Sequence, residues 1–250
     1  MSRRQQVFGT CRLCELTKPL QESHIVSKFL WKNSGVTGEK RSFSTRCKTH
    51  AHLSEYHRQD GFKEHLLCMD CEQQFSRYET YARRMLFDPR GPVLHRPAGP
   101  YVWPGLDYPK FKLFQMSLLW RMGISSHSFY AHVKLGKHEP LLRSMLRAED
   151  PGEPWRYGCI ATLLTHAQKP VLGLFSQPER IKLWGHSCYR FVLAGMHWYS
   201  FASSHRPSAT ACKLVLDSSG TWILFQGELC DLPYLRAQVD EYRQQHATKA

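Results

Sequence analysis

Two Cys-x-x-Cys pairs, Cys11 with Cys14 in "CRLC" and Cys68 with Cys71 in "CMDC", constrain this chain more than any other feature. Each pair presents two thiolates on one tight turn, and two such turns about fifty residues apart can close the four-sulfur tetrahedral shell that suits zinc. A closed shell of that kind is structural: it stabilises a small unit that cannot otherwise hold its loops, and chemistry falls to the residues it positions. The stretch "CKTHAHLSEYH" supplies Cys47, His50, His52 and His57 as rival ligands, or as a polar surface. The start "MSRRQQVFGTCRLC" lacks the apolar core of a signal peptide, and no apolar run approaches the length of a membrane span. The expectation is a cytoplasmic protein with no membrane partner, whose nine cysteines serve as metal ligands and buried thiols rather than as a disulfide network.

At 250 residues and 42% hydrophobic content the chain can bury one large core or two modest ones. Its 34 Lys and Arg against 21 Asp and Glu leave a net charge of +13, which favours a polyanionic partner, nucleic acid before membrane. The Pro- and Gly-dense stretch "DPRGPVLHRPAGPYVWPGLDYP" marks an expected boundary, dividing the chain into 1–92 and 93–250. Beyond it, Phe111, Phe114, Leu118, Leu119 and Met122 recur at helical spacing in "KFKLFQMSLLWRMGI", and "HEPLLRSMLRAEDPGEP" reads as a second, shorter helix. The runs "CIATLL", "PVLGLFS", "YRFVLAGMHWYSFAS", "CKLVLD" and "TWILFQGEL" read as strands, with "DSSG" as a hairpin turn between the last two. "DLPYLRAQVDEYRQQ" reads as a closing helix. The second half carries no catalytic motif, and its aromatic residues at strand spacing read as sheet core.

"ESHIVSKF" between the cysteine pairs and "CEQQFSRYETYARRM" after the second resemble the HNH, or ββα-metal, endonuclease superfamily in its zinc-knuckled form, over about residues 8–85. The resemblance implies an α+β fold: an N-terminal zinc-stabilised ββα-metal module followed by a mixed α+β domain with an antiparallel sheet. It implies a histidine that activates water and a divalent metal that stabilises charge on the scissile phosphate. His24 falls on the general base, Ser23 on the acid that precedes it, and Glu72 on the last metal ligand. Lys63 stands where the family has an Asn that orients the base, and Asp60 is an acid close to that position. If the segment after Cys71 is helical, Glu72, Ser76 and Glu79 share a face, so Glu72 and Glu79 could hold Mg²⁺ or Mn²⁺. Structural alternatives exist for both: Glu72 at the positive end of a helix, Glu79 paired with Arg83. The basic, hydroxyl-rich insertion offers Lys40, Arg41, Arg46 and Lys48 to phosphates. The resulting expectation is a DNA endonuclease of bacterial defence, working alone, as a homo-oligomer or with a partner protein. The alternative is an inactive zinc-stabilised subunit that binds nucleic acid or protein.

Overall fold

The first cysteine pair lies in the turn between two antiparallel strands, β1 (Val7–Thr10) and β2 (Thr17–His24). The computed structural model describes residues 6–32, 61–88, 99–171 and 174–235, together with the backbone of 43–45. After β2 come a short helix α1 (Lys28–Lys32), a short strand β3 (Phe43–Thr45) and β4 (Lys63–Cys68). β4 pairs with β2 antiparallel, so the first sheet runs β1-β2-β4, with a register shift between Gln21 and Glu22. Helix α2 (Met69–Phe87) starts immediately after Cys68, with Asp70 and Glu72 in a first turn where the helix dipole favours negative charge.

The second half contributes β5 (Tyr101–Trp103), α3 (Tyr108–Ile124), α4 (His138–Arg147), β6 (Cys159–His166), β7 (Lys169–Pro170), β8 (Leu174–Ser176) and β9 (Glu179–Leu183). It continues with β10 (His186–Leu193), β11 (Met196–Phe201), α5 (Ala209–Cys212) and β12 (Trp222–Glu228). The large sheet runs β5-β12-β6-β11-β10-β9, with β7 paired to β6. All its pairings are antiparallel except β12 with β6. β10 and β11 form a two-residue hairpin in which Ala194 (φ 53°) and Gly195 (φ 76°) both take the left-handed conformation that such a turn requires.

Helix α3 is the centre of the molecule. Asp107 caps it by accepting from the Lys110 N–H, and every residue from Phe111 to Met122 is buried, as expected of a helix with structure on all sides. Trp120 meets Phe75 of α2 edge-on at 6.0 Å, and Phe111 meets Trp222 of β12 at 5.5 Å. One apolar cluster therefore runs from Cys11 to Leu224 and draws on residues from both sides of residue 92.

Two local expectations are corrected. "CKLVLD" is not a strand: Ser208 caps the short α5 by accepting from the Ala211 N–H, and Val215 and Leu216 are buried in the turn that follows. "DSSG" is a turn, with the Asp217 carboxylate accepting from the Ser219 and Thr221 N–H groups, but β12 leaves it to pair with β5 and β6 rather than to close a hairpin. The closing helix is described only at its start, and its remainder lies outside the described residues. Among the described residues no helix is long and apolar enough to cross a membrane.

Two contacts fix α3 in place. At its N-terminal side the Leu106 N–H donates to the Gly220 carbonyl at 2.9 Å, and a Cβ on Gly220 (φ +83°) would meet the Leu106 carbonyl oxygen at 1.9 Å. At its C-terminal end the Glu64 carboxylate of β4 accepts from the Ser126 and His127 N–H groups at 3.0 and 3.1 Å and from the Ser125 hydroxyl. Gly220→Ala is expected to cost about 3 kcal/mol or more, whereas Gly105→Ala, also at positive φ but with nothing within 4 Å, should cost only about 1 kcal/mol. Urea unfolding of the two variants checks the contrast.

Although burial works the other way, the hydroxyl and N–H donors around Glu64 hold its carboxyl below the usual range. A depressed folded pKa gives stability that is present above the unfolded pKa and lost as pH falls through the folded one. Glu64→Gln should therefore be less stable than wild type at neutral pH, with the gap closing in acid. Thermal melts across pH read this directly.

Candidate metal centre and adjoining polar site

The clamp is built by backbone geometry before any metal is considered. Glu15, at φ +63°, turns the chain so that its N–H donates to the Cys11 carbonyl at 2.9 Å, while the Cys11 N–H donates to the Leu16 carbonyl at 3.0 Å. Across the gap, the Arg12 N–H donates to the Leu66 carbonyl and the Cys68 N–H to the Cys11 sulfur at 3.3 Å. The four Sγ atoms lie within 4.8 Å of one another, and Cys14 Sγ is 3.9 Å from Cys68 Sγ. Zinc–sulfur bonds of about 2.3 Å in a tetrahedron place sulfurs about 3.8 Å apart, so the cluster can hold a metal such as zinc. No disulfide joins any described cysteine.

Thiol electrostatics point the same way. Burial opposes ionisation of Cys11, but the Cys14 and Cys68 backbone N–H groups outweigh it and bring the thiol down to about 7. Burial, and then the neighbouring Cys68 and Cys11 sulfurs, push Cys71 far up, and burial raises Cys14. The protein alone thus favours the Cys11 thiolate and resists those of Cys14 and Cys71, a conflict that a central cation removes. Among the described residues this is the one group of three or more His, Cys, Asp or Glu side chains close enough to share a metal.

Beside the clamp, the end of β2 meets α2 and α3 in a buried polar cluster. Ser23 is 1% exposed and His24 is half-buried, and the pleat of the strand turns them to opposite faces. Burial raises the Glu72 carboxyl above its ordinary range, opposed by the Ser23 hydroxyl and the Arg121 charge. Burial, followed by Lys63 and Lys28, lowers the His24 pKa and favours the neutral imidazole. His24 Nε2 and Glu72 Oε1 are both enclosed and have no hydrogen-bond partner. The Arg121 and Glu79 charges bear on both groups.

The remaining expected residues fall into three sets. Glu79 is not paired with Arg83. Its Oε1 lies 2.7 Å from Arg121 Nη2 and accepts from the Ser27 hydroxyl at 2.8 Å. Ser76 is exposed on α2. Lys63 stands opposite His24 in the strand register and reaches Glu22 at 3.3 Å. Asp60, Lys40, Arg41, Arg46 and Lys48, with Cys47, His50, His52 and His57, lie outside the described residues. Sequence reasoning missed Arg121 and Ser27. The signal for Arg121 was a lone charge inside the apolar run "LLWRMGI", at a position that helical spacing assigns to the core.

Compared with known proteins, the chain matches no family model, no curated protein and no solved structure.

Cys68→Ser should abolish stoichiometric zinc and lower Tm by about 10 °C or more, because metal held by a cluster of this kind contributes folding free energy. Cys230→Ser, at an exposed thiol, should keep both properties. Zinc released by a thiol-reactive titrant, read beside circular dichroism melts, checks the pair.

Proposed function

We propose that this chain is a zinc-clamped endonuclease of the HNH type that hydrolyses phosphodiester bonds in DNA, with His24 as general base. The observation that carries the reading is the pair of enclosed, unpartnered atoms, His24 Nε2 and Glu72 Oε1, where the end of β2 meets α2. A buried polar atom without a partner is costly, so each of these two marks a place where something else can bind. Burial keeps the imidazole neutral, so Nε2 can take a proton from an attacking water at neutral pH. The four-cysteine clamp fixes the two elements that carry the base and the acid, which supplies the orientation a hydrolytic site needs.

For a catalytic Mg²⁺ or Mn²⁺, the oxygen donor at hand is Glu72 Oε1, with the Ser23 hydroxyl beside it on the face of β2 opposite to His24, and the burial that raises the Glu72 carboxyl works against a metal-binding carboxylate. When bound, the ion would supply Lewis-acid stabilisation of charge on the phosphate. Glu79 stays with Arg121 and Ser27 and buttresses the site from below. The net charge of +13 favours the polyanionic substrate, and the four thiols suit the reducing cytoplasm. Defence against phage or plasmid is the setting we assign to such an enzyme, alone, as a homo-oligomer or gated by a partner protein.

A second reading is a catalytically inactive zinc-stabilised subunit that binds nucleic acid or protein. One contact favours it: Arg121 already neutralises Glu79, leaving Glu72 as the sole carboxylate donor among the described residues of the cluster.

Plasmid cleavage in Mg²⁺ or Mn²⁺ separates the two. The first reading expects cutting by wild type, a loss of about 100-fold or more in His24→Ala, and unchanged DNA binding and zinc content in that variant. DNA binding without cutting by either protein, with or without candidate partners, would establish the second.

A further inference from the structure

A permanently charged guanidinium sits at the centre of the cluster, and it comes from the half of the chain with no catalytic motif. Arg121 is 1% exposed on α3, inside a run of buried apolar residues. Removing such an ion from water is costly unless its N–H donors are used, and here they are spent on four groups in three segments. Nη2 lies 2.7 Å from Glu79 Oε1 of α2 and 3.3 Å from the Ser27 hydroxyl, Nη1 donates to the His24 carbonyl at 2.9 Å, and Nε donates to the Ser117 carbonyl one turn back on α3. The Phe75 ring of α2 lies under the group at 5.5 Å.

The contact with His24 is the informative one. Arg121 holds the carbonyl of His24, and the other end of the same peptide, the Ile25 N–H, donates to the Phe62 carbonyl at 3.0 Å. Both polar ends of the peptide plane that follows His24 are therefore fixed, and with them the backbone torsions that aim the imidazole. The Ser27 hydroxyl, which donates to Glu79 while accepting from Arg121, fixes the chain three residues further on. Tyr130, fully buried with an unpartnered hydroxyl, also feels the Arg121 charge, as the His24 and Glu72 side chains do.

We propose that Arg121 is a positioning residue for the His24 site: through the His24 carbonyl, Ser27 and Glu79 it sets the direction of the imidazole, so the second half builds one wall of the site. This rests on His24 being the working group. A lysine cannot replace it, because a single ammonium does not span the His24 carbonyl and the Glu79 carboxylate as a fork of N–H groups does. Displacement of a reacting group by about 1 Å can cost about 100-fold in rate.

The test uses the full chain with Arg121→Lys and the double variant Arg121→Gln/Glu79→Gln, which removes both charges and so buries no unpaired ion. Arg77→Gln, on the same helix as Glu79, breaks an exposed ion pair with Glu149 and is the control. Zinc content and thermal melts report folding. ¹H–¹⁵N spectra of the His24 ring report positioning whether or not the protein turns over substrate, and plasmid cleavage reports kcat and KM. We expect folded, zinc-loaded Arg121 variants whose His24 ring signals shift and broaden, and whose kcat falls about 100-fold with KM within about twofold of wild type. The control should leave ring signals and rates unchanged. Unchanged His24 signals in folded variants, or wild-type turnover, would overturn the proposal, and so would unfolding of both variants, which would make the ion pair purely structural. Moved His24 signals in a protein whose wild type never cuts DNA would support the positioning role while removing the endonuclease reading.

Discussion

Four sulfurs crowded within 4.8 Å cannot all ionise unless a cation sits among them, and the rest of the N-terminal structure depends on that condition. Cys11 and Cys14 belong to the turn between β1 and β2, while Cys68 ends β4 and Cys71 lies in the first turn of α2. A metal shared by the four would therefore tie a hairpin to a strand–helix junction at their common end. The Cys68 N–H to Cys11 sulfur bond shows the backbone arranged to favour a thiolate before the metal is counted.

The clamp brings β2 and α2 together at one end, and α3 completes the arrangement at the other. Burying Arg121 beside Glu79 is a poor way to gain stability, since the desolvation of both ions offsets their attraction. It is a good way to fix one geometry, because a guanidinium with four partners admits few alternatives. The apolar surroundings that make this ion pair costly also keep His24 neutral and Glu72 reluctant to ionise. One environment thus accounts for the ion pair and for the unusual states of the groups around it.

Much of this was legible in the sequence where the cause is local. Cys-x-x-Cys spacing encodes a turn geometry, so the clamp could be read without knowing the fold. Apolar spacing located α3 and α4, and the Ala194-Gly195 dipeptide sits at the turn of a run already readable as strand. What could not be read depends on contacts across the chain. The apolar residues of "CKLVLD" fit a strand in composition, but Ser208 captures the preceding residues as a helix and leaves Val215 and Leu216 in a buried turn. Glu79 had a plausible partner in Arg83 one turn away, and the observed partner, Arg121, lies on another helix, which no helix-face argument can supply. Ser27 was invisible for the same reason, since its role exists only where α2 and α3 converge.

The central claim is that four thiolates and nothing else close the clamp around one metal. X-ray absorption at the zinc edge of the purified full chain tests it most directly. The account predicts four sulfur scatterers at about 2.3 Å and no nitrogen or oxygen in the shell. A mixed shell containing an imidazole nitrogen, or a protein that purifies without metal while keeping its fold, would contradict it.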